Sequence, residues 1–380
     1  MGLTSPDDTE LDLDLDLDLD LDDTDTLTKI QLKLSHLAHL YNSGKKLFPR
    51  HLLADLDAQI DQGKEEVHID DLDDVRHTYS LKVPGWCADF ATSYRINYSS
   101  IQTLTCIHPS FPDLSLRDTS PISICYTSSS PSTPSTSSTS TAPSLQAQMQ
   151  VNPPTFPEIS SRFTSSLRKW EESETCKTLI HHLSTLKPTK PIRRIIGFGL
   201  GVVSGFDDEF HLARAHAQHG ALGTMARTLL NARRRDGGGV EIEDGQEGDG
   251  DEIECYAQDP AYSETDEALL RSIGITPLDD PKGFLEIDEE TLVFSVSPNV
   301  PVKQVVADVQ WPGAMVWNTV SLEEGEGRWE KQVRDGEEFW VVPFTTDPDS
   351  QRVRRMVQHY TSVPLRDSNE YFGDLTIYVR

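Results

Sequence analysis

An apolar segment that runs directly into alternating glycines constrains this chain more than any other feature. Residues 195–201 read Ile-Ile-Gly-Phe-Gly-Leu-Gly, which places glycines at Gly197, Gly199 and Gly201. Glycine adopts positive φ angles at little steric cost, so a glycine turn lets a ligand approach the backbone closely. An apolar strand followed by such a turn is typical of the first strand and loop of a Rossmann-type domain. The segment predicts an α/β fold with a ligand site and names no reaction.

Strand-like and helix-like patterns alternate along the C-terminal half. Short apolar runs predict strands at residues 195–198, 253–257, 275–278, 291–296, 314–317, 339–344 and 375–379. Apolar stripes at helical spacing lie between them, such as the one over residues 212–229. Because parallel strands need right-handed crossovers that place helices on both faces, we expect a Rossmann-like, mostly parallel, doubly wound α/β sheet over residues 157–380.

The N-terminal half differs in composition. Leu and Asp alternate in an acidic low-complexity tail over residues 1–26, where opposed carboxylates disfavour strand pairing and predict disorder at neutral pH. Residues 27–110 are poorly defined and contain candidate helices, and residues 111–156 form a Ser/Thr/Pro-rich stretch that predicts a linker. Residues 236–252 read as an acidic insertion. We therefore expect one α/β domain after a largely disordered region, and whether residues 27–110 pack on it stays open.

The net charge of −28 limits the class of partner. A field of this sign repels phosphate backbones and anionic lipid, so neither direct nucleic-acid binding nor membrane binding is expected. The five cysteines form no Cys-x-x-Cys pair, and the N-terminus lacks the positive charge of a secretory peptide. These features predict a protein of the cytoplasm, the nucleus or both, with protein partners as the remaining class. The sequence does not determine the oligomeric state.

Candidate binding residues follow from where ligands lie in open α/β sheets. The crevice is beyond the carboxyl ends of the strands, so the residues after each predicted strand are candidates. Asp259 follows the second strand, where a carboxylate accepts the ribose hydroxyls of nucleotide-type ligands, although an aspartate before Pro260 also suits a cap or turn. The predicted binding residues are Gly197, Gly199, Gly201, Ser204, Asp259, Pro298 and Asn299.

The spacing of the glycines bears on the cofactor. The dinucleotide fingerprint is Gly-x-Gly-x-x-Gly running into a helix, whereas residues 197–201 read Gly-x-Gly-x-Gly. This pattern with an acidic second strand end is more like that of S-adenosylmethionine-dependent methyltransferases. The cofactor therefore stays unknown, with S-adenosylmethionine, a nicotinamide nucleotide and a purely structural turn all open. His211, His216 and His219 lie near the start of the first predicted helix, where His216 and His219 could share a face. No metal site is expected, because no His-Glu-x-x-His motif or Cys cluster supplies a third ligand to that pair.

Five separate blocks carry a resemblance to a known family. They are Ile-Ile-Gly-Phe-Gly-Leu-Gly (195–201), Asp-Pro-Ala-Tyr (259–262), Leu-Arg-Ser-Ile-Gly (270–274), Val-Phe-Ser-Val-Ser-Pro (293–298) and Ala-Met-Val-Trp (314–317). In this order they resemble the sensitivity-to-red-light-reduced (SRR-like) domain, in its fungal form, over residues 160–320. The resemblance implies an α/β domain of a regulatory family, as in light and circadian signalling in plants, without a settled activity or cofactor. It maps the family's Asp-Pro block onto Asp259 and Pro260.

Three functional hypotheses follow. The first is a regulatory SRR-like protein that has a crevice for a nucleotide-type ligand and no assured catalysis. The second is a methyltransferase-like enzyme that holds S-adenosylmethionine with its glycines and Asp259. The third is a non-enzymatic interaction protein that acts through the acidic tail. The sequence assigns no catalytic residue under any of them.

Overall fold

A computed structural model describes residues 24–112, 116, 120–127, 154–205, 208–236, 252–323, 329–334, 336–367 and 371–380. Residues 1–23, 128–153 and 237–251, which hold most of the predicted tail, linker and insertion, lie outside the described residues. No helix in the described part is long and apolar enough to cross a membrane.

The secondary structure follows the predicted alternation in its C-terminal half. The helices are α1 (Thr24–Asn42), α2 (Arg50–Asp61), α3 (Ile101–Thr105), α4 (Phe156–Glu172), α5 (Glu174–Thr185), α6 (Glu209–Asp236), α7 (Glu264–Ser272), α8 (Lys282–Leu285), α9 (Val302–Val309) and α10 (Gln351–Val357). The strands are β1 (Glu66–Asp70), β2 (Arg76–Ser80), β3 (Ser93–Tyr98), β4 (Ile122–Thr127), β5 (Arg194–Phe198), β6 (Glu254–Gln258), β7 (Thr276–Pro277), β8 (Thr291–Ser295), β9 (Ala314–Asn318), β10 (Glu330–Arg334), β11 (Glu337–Val341), β12 (Thr361–Leu365) and β13 (Leu375–Val379).

Seven strands form the central sheet in the order β12-β13-β9-β8-β5-β6-β7. Strands β5 to β9 are parallel, whereas β13 runs antiparallel to both of its neighbours, β9 and β12. The Rossmann-like, mostly parallel sheet is thereby confirmed. Numbered along the chain from β5, these strands follow the order 3-2-1-4-5-7-6. The order reverses at β5, which is where an open α/β sheet forms its crevice.

Three strands of the C-terminal half, β10, β11 and β12, differ from the sequence prediction. The apolar run at residues 339–344 forms β11, which pairs with β10 in a separate two-stranded hairpin rather than in the central sheet. Strand β12 carries Pro364 at the edge of the sheet and was not predicted. Proline is tolerated in edge strands because its missing N–H faces away from the ladder, so such a strand reads as a loop in the sequence.

Alternate residues of the strands belong to two apolar cores on opposite faces of the sheet. Ile195 and Leu292 pack into one core, and their neighbours Ile196 and Val293 pack into the other. The whole of β8 is buried. Because interior parallel strands are apolar on both sides, each face needs its own covering layer.

Helices α4, α5 and α6 cover the first face. The indole Nε1 of Trp170 on α4 donates a hydrogen bond to Thr224 Oγ1 on α6, at 3.0 Å. A Cβ atom at Gly220 would lie 2.9 Å from Trp170 Cδ1 and 2.9 Å from Leu167 Cδ1, so glycine is needed at this helix crossing. The crossing holds α6 against the sheet behind the glycine segment.

The described residues of 24–127, here called the N-terminal unit, help to cover the second face together with α9 and α10. Phe48 and Leu53 share a buried core with Met315 and Trp317 of β9. The sequence leaves open whether residues 27–110 pack on the α/β domain, and in the structure their apolar residues do pack on it. Their apolar side chains find partners far along the chain, on the sheet, which local composition does not reveal. Strand β4 likewise lies inside the predicted linker and pairs with β3.

A buried ion pair fastens the N-terminal unit to this face. Arg352 Nη1 donates to Asp308 Oδ1 at 2.9 Å, and their side chains are only 17% and 4% exposed. Arg352 Nη2 also donates to the carbonyl of Lys45 at 2.7 Å. Asp308 Oδ2 accepts the backbone N–H groups of Leu47 and Phe48, at 2.7 and 3.2 Å. One pair thus connects α9, α10 and the chain between α1 and α2.

Replacement of Asp308 by alanine tests this attachment. Asp308→Ala leaves Arg352 buried without its carboxylate, and we expect the free energy of unfolding to fall by about 3–5 kcal/mol. Urea denaturation followed by circular dichroism measures the change. Glu171→Ala is the control, because it removes an ion pair with Arg227 whose side chains are 44% and 60% exposed and should cost less than about 1 kcal/mol. Equal losses in the two variants would contradict a fastening role for Asp308.

Candidate functional site

The three glycines of the turn have different structural roles. Gly199 and Gly201 adopt φ angles of +64° and +79°, the left-handed region that glycine enters at little cost. Gly197 lies inside β5, where a Cβ atom would come within 2.6 Å of Leu200 Cδ1 and 2.7 Å of Leu222 Cδ1. Gly197 therefore serves the packing of α6 on the sheet, and only Gly199 and Gly201 shape the turn.

The backbone amides of the glycine turn are already bound by two carboxylates of the protein. Gly201 N donates to Asp259 Oδ2 at 2.9 Å. Val203 N and Ser204 N both donate to Asp266 Oδ1, at 2.8 and 2.7 Å. Free amides at such a turn form an anion-binding site, so these carboxylates occupy the positions that a phosphate would take.

Two histidines of α6 are buried, and one of them, His216, bonds to the same turn. His216 Nε2 lies 2.9 Å from the carbonyl of Val203, which only accepts, so the ring nitrogen donates. His219 Nδ1 donates to the carbonyl of Ala215 in the same way, which leaves Nε2 to accept from the hydroxyl of Tyr262 at 2.8 Å. Burial lowers the pKa of His219 to about 4, so the ring is neutral. Among the described residues, no group of three His, Cys, Asp or Glu side chains is arranged to hold a metal ion.

The ends of β8 and β9 close the crevice beside β5. Pro298 is buried against the turn, since a Cβ atom at Gly199 would lie 2.9 Å from Pro298 Cβ. Ser297 has a φ of 47°, and its N–H donates to Asn318 Oδ1 at 2.7 Å. Asn299 is exposed. The contact between Gly199 and Pro298 leaves little space for a ligand at the point where the strand order reverses.

A cleft lies beyond the carboxyl ends of β6 and β7. The cleft has a volume of about 380 Å³ and is bounded on one side by Asp259, Pro260 and the residues that follow β7, and on the other by α2 and β3 of the N-terminal unit. This volume is in the range of small-molecule sites in proteins. The described residues that line the cleft include no serine, cysteine or histidine.

The cleft is strongly acidic. It is lined by Asp57, Asp61, Asp259, Glu267, Asp279 and Asp280, against the two cations Arg95 and Lys282. Lys282 Nζ donates to Asp57 and Asp61 on α2, at 2.7 Å each, and so joins the N-terminal unit to α8. Burial raises the pKa of Asp259, while the amides of Ala261 and Gly201 lower it in part. A ligand with hydroxyl, amino or cationic groups suits this lining, because carboxylates accept hydrogen bonds from all three.

Among the carboxyl groups that line the cleft, Asp280 has a strongly raised pKa. Burial raises the pKa of Asp280 to about 7, against the opposing effect of hydrogen bonds from Tyr98 and Gln258. The Tyr98 hydroxyl donates to Asp280 Oδ1 at 2.6 Å, and Gln258 Nε2 donates to the same oxygen at 2.9 Å. Gln258 Oε1 in turn accepts the N–H of Gly283 at 2.6 Å. Asp280 therefore changes its charge near neutral pH, where the two walls of the cleft meet.

Of the seven predicted binding residues, only Asp259 lines the cleft. Ser204 and the glycines are held in or beside the turn, and Pro298 and Asn299 lie on the far side of β5. Asp279, Asp280 and Arg95 line the cleft but were not among the predicted residues. The two aspartates follow a predicted strand, so the strand-end rule could have found them, but no local signal links Arg95 to the sheet.

The fold and the cleft together define the class of protein. It is a doubly wound α/β protein with a cleft of small-molecule size beyond the carboxyl ends of its strands. Within this class the chain belongs to the SRR1 domain family, whose family model matches residues 166–379. The resemblance inferred from the five blocks is confirmed, and the match extends past residue 320 into β13. The N-terminal unit, which forms the second wall of the cleft, lies outside the matched residues.

Other comparisons add little about function. A search of curated proteins finds no match for this chain. Among solved structures, the chain is similar to the crystal structure of a protein from Corynebacterium glutamicum, with 14% sequence identity over 58% of this chain and 88% of that chain and a TM-score of 0.28. A likeness of this size says nothing about ligand or activity.

The contact between Gly199 and Pro298 makes a prediction about stability. Gly199→Ala places a Cβ atom 2.9 Å from Pro298 Cβ on a residue with a φ of +64°, and we expect it to lower the free energy of unfolding by about 1–3 kcal/mol. Gly205→Ala is the matched control, because its Cβ atom would have no neighbour within 4 Å. Denaturant unfolding measures both variants. A Gly199→Ala protein as stable as the control would show that the turn is not closed against Pro298.

The raised pKa of Asp280 predicts how the stability of the protein depends on pH. The folded-state pKa of Asp280, about 7, lies above the value of about 3.9 expected in the unfolded chain. Its contribution to stability is complete below the unfolded value and is lost as the pH rises through about 7. In the wild type, the raised pKa of Asp280 should lower the free energy of unfolding by up to about 1.4 kcal/mol for each pH unit over this window. We expect Asp280→Asn to lack this decrease.

Urea denaturation at a series of pH values measures that slope. Asp279→Asn, which changes the exposed neighbouring side chain, is the control and should keep the wild-type slope. A slope that is the same in Asp280→Asn and the wild type would rule out the raised pKa.

Proposed function

We propose that this SRR1-domain protein is a regulatory protein whose cleft binds a nucleoside-type ligand without phosphate groups. Asp259 carries the proposal, because it combines the strand-end position that accepts ribose hydroxyls with a place on the cleft wall. Each of its carboxylate oxygens accepts one backbone N–H, from Ala261 and from Gly201. A carboxylate has about four acceptor positions, so two remain for ligand hydroxyls.

The occupied turn argues against a phosphate-bearing cofactor. Dinucleotides place their pyrophosphate on the free amides of the glycine turn. Here Asp259 and Asp266 accept those N–H groups. A pyrophosphate would also meet a cleft with six carboxylates and two cations. Of the cofactors that the sequence left open, this arrangement disfavours the nicotinamide nucleotides and supports S-adenosylmethionine, which carries a sulfonium cation and no phosphate.

Methyl transfer is a second candidate function, favoured by the strand order. The order 3-2-1-4-5-7-6 with an antiparallel seventh strand is also the arrangement of S-adenosylmethionine-dependent methyltransferases, an analogy at the level of the fold. In such an enzyme Asp280 would be the group that accepts a proton, since its pKa lies at about 7. Binding without turnover remains our first proposal, because a fold does not determine a reaction.

Calorimetric titration of the full chain tests the proposed ligand class. We expect saturable binding of S-adenosylmethionine and none of NAD or NADP. Asp259→Asn should weaken S-adenosylmethionine binding by about tenfold or more, because it replaces a charged acceptor. Asp266→Asn is the matched control: it also loosens the glycine turn, but Asp266 does not line the cleft. Its effect on affinity should be smaller.

Two results would count against the proposal. Binding of NAD or NADP at least as tight as that of S-adenosylmethionine would show that phosphate enters despite the occupied turn. Equal losses in Asp259→Asn and Asp266→Asn would show that Asp259 acts only by holding the turn. Circular dichroism of each variant confirms that it is folded before the titration is compared.

A further inference from the structure

The N-terminal unit contributes a cation, Arg95, to the lining of the cleft. Arg95 lies on β3, opposite Cys125 of β4, and lines the cleft together with Asp259 and Asp279. Its side chain is half-buried and makes no hydrogen bond or ion pair with any residue that the structure describes. Its positive charge nevertheless acts on Asp259, whose pKa it lowers in part. A charged group is costly to withdraw from water unless it is paired, so Arg95 is poised for an anionic partner.

The second cation of the cleft is already engaged. Lys282 binds both Asp57 and Asp61 of α2. Arg95 is therefore the cation in the described lining that a ligand can reach. A guanidinium group presents a planar pair of donors that matches a carboxylate, with two parallel hydrogen bonds.

We propose that Arg95 binds a carboxylate of the ligand, so that the cleft selects a nucleoside joined to an amino acid. The inference rests on the proposed nucleoside site. The amino acid part has an anionic and a cationic end, and the cleft offers Arg95 for the first and carboxylates such as Asp279 for the second. A phosphate would bring negative charge without the balancing ammonium group, next to the carboxylate of Asp259. The cleft thus suits a zwitterion better than an anion.

Under this proposal, residues from two different parts of the chain recognise the ligand. Asp259 belongs to the residues matched by the family model, 166–379, whereas Arg95 lies outside them. The family domain recognises the nucleoside and the ammonium group of the amino acid, and the N-terminal unit recognises its carboxylate through Arg95.

Two probe ligands test the assignment on the full chain. S-adenosylhomocysteine carries the amino acid group, and 5′-methylthioadenosine has the same nucleoside without it. By calorimetry, the wild type should bind S-adenosylhomocysteine at least about tenfold more tightly than methylthioadenosine. Arg95→Gln should lose about tenfold or more of the affinity for S-adenosylhomocysteine and keep that for methylthioadenosine within about twofold. Arg95→Lys keeps the positive charge but not the planar pair of donors. Its affinity for S-adenosylhomocysteine should therefore lie between those of the wild type and Arg95→Gln.

Arg193→Gln is the control. Arg193 precedes β5, at the other end of the sheet, and pairs with Glu290 at 3.1 Å. Its affinities for both ligands should equal those of the wild type. If the wild type binds the two ligands equally, or if Arg95→Gln weakens both alike, the assignment to Arg95 is overturned and the nucleoside site stands. If the wild type binds neither, the proposed function fails and the assignment fails with it.

Discussion

The hydrogen bonds from the glycine turn to Asp259 and Asp266 are the constraint on which the candidate site depends. They draw the turn towards β6 and α7 and fill its amides. On the other side of β5, Pro298 fills the space over Gly199. The turn is thus in contact with the protein on both sides of β5, and the cleft lies at the ends of β6 and β7. The sequence of this turn suggests phosphate binding, but N–H groups of the turn donate to carboxylates of the protein itself.

The sequence predicts the sheet well because strands and crossover helices leave local patterns. The run at residues 195–198 and the stripe over 212–229 became β5 and part of α6, as expected. The site was harder to predict. Asp259 follows from the strand-end rule, but the closure of the turn depends on Asp266, a residue whose spacing from Ser263 indicates only a helix cap. Arg95 reaches the cleft through tertiary packing, which no local pattern encodes.

The N-terminal unit is part of the hydrophobic core of the domain. Its apolar residues cover Met315 and Trp317, which would otherwise face water on the second side of the sheet. Exposing side chains of this size costs roughly 1.5–3 kcal/mol each. The boundary of the family match therefore does not coincide with a boundary of the hydrophobic core. The sequence left the packing of residues 27–110 open because the partners of their apolar side chains lie far along the chain.

Because the cleft lies between two parts of the chain, binding of a ligand in it would be coupled to the contact between those parts. Lys282 holds α2 to α8 at the rim, while Arg95 and Asp259 face each other from opposite walls. A molecule that touches both walls stabilises their contact by the same free energy with which that contact strengthens its binding. Any event that loosens the N-terminal unit would then release the ligand, and the ligand's departure would loosen the unit. Binding in the cleft would thus be linked to the contact between the two parts of the chain.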